Sequence, residues 1–345
     1  MSNSKFPFPR LPDDICSEVL KTMEYHEIIA FSIISKKSSS MVQSLCLPLI
    51  RAQIVMGWPE ICLDFGSINV LFKWKMGEND KEMTSLDDIP VSVAVKFRRF
   101  NPISESKTFT WSNQGKNIGE WVQHLRSIFR CGCYEATFCV LNTRLDIQSL
   151  RNTFPKFRKI VIMCLRNEPT EHEVQSIGNI LRAFLPYVEN LRLQRVPLQE
   201  NLSIQHIGMT NLKELHLESL NLKLGDLSTL NVEKCIIIRI QFSLLDLNRF
   251  FKLWTKGSYP KLQSLLVHGS LESFSDWNIL LKGLNAVVER STADDSQRLV
   301  KVKRFIMENS RGVCAQVLVH SAEMVSAVTF TVSNLNRLSP EIWKF

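Results

Sequence analysis

Residues 6–50, FPFPRLPDDICSEVLKTMEYHEIIAFSIISKKSSSMVQSLCLPLI, constrain the fold more than any other stretch of this chain. Phe6, Phe8 and Leu11 alternate with Pro7, Pro9 and Pro12. Proline fixes its own φ and disfavours helix in the residue before it, so the chain begins extended and apolar. Asp13 or Asp14 can then cap a helix and place negative charge at its N-terminus. Ile15, Val19, Leu20 and Met23 follow at helical spacing. A polar break at 24–26 starts a second helix through Ile28, Ile29, Phe31, Ile33 and Ile34. A third carries Met41, Val42 and Leu45 behind the polar run 35–40. So short a segment cannot bury this much apolar surface alone, so it must pack on the rest of the chain or on a partner.

These residues resemble the F-box. Its pattern opens with Leu-Pro and an acidic residue, here Leu11, Pro12 and Asp13, and continues with a paired aliphatic, here Val19 and Leu20. An acidic-to-aliphatic step follows at Glu27, Ile28 and Ile29, then an aliphatic-Ser-basic run at Ile34, Ser35, Lys36 and Lys37. The match needs no gap from Leu11 to Val42. Many F-boxes place Trp directly after the basic pair, where this chain has Ser38. The resemblance implies docking on a Skp-type adaptor, and through it a cullin, with Leu11, Pro12, Ile15, Val19, Leu20, Ile28 and Ile29 as the contact. The other reading of the same helices is a hairpin packed on its own core, a scaffold outside any ligase.

The 345 residues suffice for a large core and more than one domain. No apolar run approaches the roughly 20 residues that span a bilayer, and prolines stand where a signal peptide needs an apolar helix. No membrane association and a cytoplasmic or nuclear location are therefore expected. Nine cysteines, with only Cys131 and Cys133 closely paired, argue for reduced thiols rather than a disulfide framework. The sequon at Asn201, Leu202 and Ser203 is then a chance match. The net charge of +8 invites a nucleic-acid reading. Its strongest clusters are Lys96, Phe97, Arg98, Arg99 and Phe100, and Lys301, Lys303 and Arg304. Both lie in strand-like segments where charges form a solvated face, which disfavours nucleic acid as a partner.

Downstream the pattern becomes β-rich. Residues 61–65, 68–74, 91–100 and 107–111 are short and rich in β-branched and aromatic residues, with an acidic loop at 77–88. A helix is expected over 117–129, with Ile118, Val122, Leu125 and Phe129 on one face, and a strand over 134–141. From about residue 157 the pattern L-x-x-L-x-L-x-x-L-x-L recurs. Its clearest copy is Leu212, Leu215, Leu217, Leu220 and Leu222. Another is Val188, Leu191, Leu193, Val196 and Leu198, and a third Leu227, Leu230, Val232, Cys235 and Ile237. Weaker copies start at Phe157 and Leu262, so the starts lie 31, 24, 15 and 35 residues apart. A regular leucine-rich repeat keeps a period of about 20 to 29. The region reads as degenerate leucine-rich-repeat-like α/β, although a doubly wound or mixed α/β sheet would show similar strands. In either case residues alternating with the leucines share one open face. Arg192, Gln194, Glu214, His216, Glu218, Asn231 and Glu233 are those residues, and their mixed charges suit a protein substrate.

Residues 246–262, DLNRFFKLWTKGSYPKL, place Leu247, Phe250, Phe251 and Trp254 on one helical face, with Leu253 at its margin. Gly257 is suited to end that helix and Pro260 to stop its continuation. The run resembles the F-box-associated type 2 domain, an expanded nematode family. The matching residues are Leu247, Asn248, Arg249, Phe250, Lys252, Trp254, Lys256, Gly257, Ser258, Pro260 and Leu262, followed by an apolar strand at 265–267. The resemblance covers about 200–270. Residues 300–307, 313–320 and 324–332 then look like an antiparallel meander with a turn at 309–312, closing one end of the repeat region.

The fold class expected is α+β: a three-helix F-box, then a mixed α/β, leucine-rich-repeat-like region with antiparallel strands at its ends. The expected segments are 1–50, 51–156, 157–285 and 286–345. No phosphate-binding glycine loop or nucleophile elbow occurs. Cys131, Cys133 and His124 lack a second ligand pair nearby, so neither metal, cofactor nor enzymatic chemistry is expected. The two resemblances together imply the substrate receptor of a Skp–cullin–F-box ubiquitin ligase.

Overall fold

The structure is a computed structural model. It describes residues 11–58, 60–77, 85–99, 107–131, 133–140, 146–154, 156–166, 168–198, 207, 210, 212–218, 222–240, 243–269, 277–288, 301–321 and 326–333. The chain divides into two compact units, Met1–Arg158 and Lys159–Phe345.

The first unit begins with helices α1 (Asp13–Thr22), α2 (Tyr25–Ile34) and α3 (Lys36–Ser44). Asp13 and Asp14 lie in the first turn of α1 rather than capping it; Pro12 is the capping residue and makes no side-chain bond. Its carbonyl accepts from the Cys16 N–H at 3.0 Å. The acidic pair still lies where the helix dipole favours it. At the start of α2 the Glu24 N–H donates to the Glu27 carboxylate at 2.9 Å. Residues 36–40 of the polar run lie within α3 instead of ahead of it, because Ser35 caps the helix by accepting from the Ser38 N–H at 3.1 Å. Ser38 itself is buried, and its hydroxyl meets that of Ser35 at 2.8 Å. A serine is tolerated inside because its polar atom is satisfied one turn away.

There follow β1 (Pro48–Leu49), β2 (Arg51–Met56), β3 (Glu60–Asp64), β4 (Ile68–Lys75), β5 (Ser92–Arg99), β6 (Lys107–Ser112), α4 (Ile118–Ile128), β7 (Arg130–Cys131), β8 (Tyr134–Val140) and α5 (Ile147–Thr153). The unit's main sheet runs β8-β2-β3-β4-β5-β6, with β8–β2 parallel and the rest antiparallel. Short β1 and β7 pair in parallel. Val70, Phe72, Trp74, Val93, Val95 and Phe97 point inward, while Lys73, Lys75, Lys96 and Arg98 alternate onto the solvated face. Phe100 and residues 78–84 of the acidic loop lie outside the described residues.

Helices α2 and α4 cover the inner face. Trp121 of α4 is fully buried with its ring 6.5 Å from Phe72. His26 of α2 stacks on Phe109 at 4.6 Å and leans on Phe97 at 5.1 Å. Tyr25 stacks on Phe65 at 3.9 Å. Ser32 donates to the Ile29 carbonyl at 2.6 Å, so its 2.8 Å contact with His124 Nε2 requires the proton on that nitrogen. The N-terminal helices thus share a core with the sheet that follows them.

The second unit contains β9 (Lys159–Cys164), α6 (Glu171–Phe184), β10 (Asn190–Gln194), β11 (Glu214–Glu218), β12 (Lys234–Ile240), α7 (Leu244–Thr255), β13 (Ser264–Gly269), α8 (Trp277–Leu281), β14 (Val287–Val288), β15 (Lys301–Glu308), β16 (Cys314–Ser321) and β17 (Ser326–Ser333). Strands β9 to β13 are parallel, each beside its predecessor in sequence. Antiparallel β17, β16, β15 and β14 complete the sheet beyond β13, so the C-terminal meander covers that edge.

Register aligns three buried ladders across the parallel strands. Ile160, Leu191, Leu215, Cys235 and Leu265 form one, and Ile162, Leu193, Leu217, Ile237 and Val267 another. The third precedes the strands: Phe157, Val188, Leu212, Val232 and Leu262, spaced 31, 24, 20 and 30 residues apart. The sequence frame for the third copy, begun at Leu227, is therefore five residues early. Leu227 and Leu230 are buried too, which is why the sequence pattern alone admits that frame.

Helix α7 packs on the ladder side of the sheet. Trp254 meets Phe330 edge-on at 5.0 Å, Phe251 stacks on it at 5.6 Å, and Phe330 pairs with Leu265. Leu244, Leu247, Asn248, Phe250, Phe251 and Trp254 are buried, while Leu253 is 39% exposed at the margin. The helix ends as its glycine implies. Gly257 has φ +92°, its N–H donates to the Trp254 carbonyl, and the Ser258 N–H reaches back to Leu253.

Candidate partner-binding surfaces

Helix α1 carries two apolar stripes. Cys16 and Leu20 point inward and are fully buried. Ile15 and Val19, also four residues apart, point outward with 46% and 39% exposure, beside exposed Pro12 and half-buried Leu11. An aliphatic stripe left in water on a short helix is what a docking helix presents. Of the residues expected to meet an adaptor, Leu11, Pro12, Ile15 and Val19 lie at least partly in solvent. Leu20, Ile28 and Ile29 are buried. Sequence reading also passed over Ile34 as a surface residue; it is the most exposed of the large apolar side chains described.

The second surface is the sheet face of the second unit opposite α7. Register puts Val161, Arg192, His216, Ile236, Leu266, Thr329, Leu318 and Arg304 in one row across eight strands. Gln194 and Glu218 are neighbours one row along, and Glu214 lies one row back beside Asn190. Five of the seven expected substrate residues therefore come together. Asn231 and Glu233 do not, because they precede β12, where the Glu233 carbonyl accepts from the backbone of Gln263 and Ser264. The face positions of β12 are Lys234, Ile236 and Ile238, so beside His216 and Glu218 the polar block on β10 and β11 gives way to an apolar one. The signal was in the run KCIIIRI, whose three consecutive isoleucines make both faces apolar at its centre.

His216 Nε2 is buried without a hydrogen-bond partner. Burial, then the nearby Arg192, Lys159 and His268, push its imidazole down to about 4. Burial also lowers His268 and His320. The Arg192 guanidinium lies 2.8 and 3.1 Å from the Gln194 amide oxygen in the amide orientation that satisfies both groups. Cys235, on the ladder side, is held up at about 12 by burial and is no nucleophile at neutral pH. Among the described residues no group of three or more His, Cys, Asp or Glu gathers to hold a metal. None of the described helices is long and apolar enough to cross a membrane.

Comparison with known families agrees with this geometry. The F-box domain model matches residues 8–49, and the F-box associated model matches residues 203–267. The chain thus carries a segment similar to the F-box at its N-terminus and one similar to the F-box-associated domain in its second unit. It is similar to the F-box associated domain-containing protein sdz-33 of Caenorhabditis elegans, 23% identical over 273 residues that cover 79% of this chain and 81% of that one. No solved structure matches.

Proposed function

We propose that this chain is the substrate-receptor subunit of a Skp–cullin–F-box ubiquitin ligase, acting in the cytoplasm or nucleus. The carrying observation is the outward Ile15–Val19 stripe beside Leu11 and Pro12, left in water by a helix whose other stripe is buried. In this reading the stripe docks on the adaptor and the chain supplies no chemistry of its own. Holding a substrate near the charged conjugating enzyme raises the local concentration of its lysines. The parallel strands act as a leucine-rich-repeat-like platform, and Arg192, Gln194, Glu214, His216 and Glu218 with the neighbouring isoleucines form the substrate face. The alternative is a protein-interaction scaffold outside any ligase.

The test is a titration of the full chain against a Skp-type adaptor. Changing Ile15 and Val19 together to Glu should weaken binding by about tenfold or more, since an apolar anchor is worth about 2 kcal/mol. Unfolding should stay unchanged, because both residues are exposed. An adaptor affinity that ignores the double change refutes the reading in favour of the scaffold. For the substrate face, Arg192→Glu with Glu218→Arg should remove partners recovered with the chain while adaptor binding persists.

A further inference from the structure

Strand β6 is the last strand of the first unit's sheet and pairs with β5 alone. Among the described residues no strand lies on its outer edge. Edge strands are ordinarily blunted by proline, bulges or central charges, because their free N–H and C=O groups template another chain. The sequence KTFTWS has a lysine at its first position and none of the other devices, and its residues favour extended backbone. Beside this edge lies a pocket of about 260 Å³, lined by Ala30, Ile33 and Ile34 of α2 and by Trp111, Ser112 and Gln114. Helix α2 runs along β6, with His26 stacked on Phe109 and Ile33 and Ile34 reaching the Trp111 end. Ile34 is 74% exposed. The edge and the helix together make a trough with an apolar seat at one end.

The strands beside this edge are basic, whereas α2, the other wall of the trough, carries Glu27 and is capped by Glu24. Strands β4, β5 and β6 carry Lys73, Lys75, Lys96, Arg98, Arg99 and Lys107 and no carboxylate. Lys73 has a counter-ion, Glu60 of β3 at 3.8 Å. Lys96 stands directly across from Thr108 of β6 on the exposed face. We propose that β6 is a docking edge for an extended, acidic segment of a partner protein, added to the sheet as a further strand. Alternate side chains of such a segment fall on opposite faces. Those on the Trp111 side enter the trough and seat an aliphatic group in the pocket. The intervening ones lie beside Thr108 and Thr110, within reach of the flexible ammonium of Lys96. A second copy of this chain suits the edge poorly, because pairing would set two carboxylate-free basic strands side by side. This proposal stands independently of the ligase reading.

The probe is a labelled peptide, acetyl-EVELEVE-amide, titrated into the full chain by fluorescence anisotropy. The expected result is saturable binding, with new hydrogen-exchange protection across 107–112. Two N-methylated versions, blocked at alternate sets of amides, test the backbone geometry, since one set faces β6 and the other faces water. One version should lose binding about tenfold or more, and the other should keep it. Ile34→Asp and Lys96→Glu, both at exposed positions, should each weaken binding while the melting temperature holds. Five outcomes each overturn the proposal: no saturation up to about 1 mM peptide; equal loss from both N-methylated versions; protection elsewhere with none at 107–112; tighter binding of acetyl-KVKLKVK-amide or oligothymidylate; or self-association of the chain through β6.

Discussion

Asn248 is a polar residue in the middle of the apolar face of α7, only 2% exposed. Its amide nitrogen donates to the carbonyls of Leu280 and Lys282 at 2.7 and 3.0 Å. The two bonds tie the end of α8 and the turn after it to α7. Replacing Asn248 with Leu keeps the volume nearly constant and removes both donors. An orphaned buried carbonyl costs about 1 to 3 kcal/mol, and the bond to Lys282 is only partly buried, so the loss should be about 2 to 4 kcal/mol. For a unit of this size that lowers the melting temperature by about 4 to 16 °C. Asn248→Asp adds a pH signature. Burial against two carbonyl oxygens disfavours the carboxylate, so the folded pKa must lie above the unfolded value of about 3.9. Folding then weakens as pH rises above the unfolded value, and is restored as pH falls and the protonated acid donates one bond. Scanning calorimetry at about pH 4 and pH 7 should show the deficit of Asn248→Asp shrinking at the lower pH while that of Asn248→Leu stays constant. A Leu variant that melts with the parent, or an Asp deficit that ignores pH, would refute the assignment of Asn248 as the tie.

Trp254→Ala should cost about 3 to 5 kcal/mol by leaving a cavity against Phe330, and a chemical denaturation midpoint unchanged from the parent would show the helix face to be misassigned. His216 should remain neutral across the physiological range. Its folded pKa of about 4 lies below the ordinary 6.5, so the associated stability is present above about 6.5 and is lost as pH falls toward 4. A nuclear magnetic resonance titration that finds the His216 midpoint near 6.5 would contradict its burial.

The parts of the fold legible in sequence are those where one face is buried and the other wet. Strands β3 to β6, β15 and β16 alternate, α4 carries an unbroken apolar face, and α7 carries one interrupted only by Asn248, so their periodicity is legible. Helix α6 escaped because Glu173, fully buried, interrupts its apolar face. The Thr170 N–H and hydroxyl bond its carboxylate at 2.7 and 3.1 Å. Strand β2 escaped because it follows the three-helix pattern after a single residue gap from β1 and offers three short apolar positions. Which of the residues expected to meet an adaptor are buried was not legible either. Helix α2 is apolar on every side, so spacing cannot tell Ile28 and Ile29, which are buried, from Ile34, which is not. The frame of the third repeat failed for the same reason: apolar residues fill both the ladder and the segment leading to it.

The buried ladders have a consequence for how such a chain can change. Register between parallel strands is held by two apolar positions in each strand and one just before it, and nothing in it depends on how many residues lie between strands. The spacing already ranges from 20 to 31 within one sheet without moving a rung. Lengthening a connector adds little to the cost of closing it, about 0.6 kcal/mol for each doubling. Insertions, deletions and substitutions in the connectors and on the open face are therefore nearly neutral for folding, while a polar residue on a rung is not. Selection can rework what the sheet displays at high speed against a scaffold that hardly registers the change.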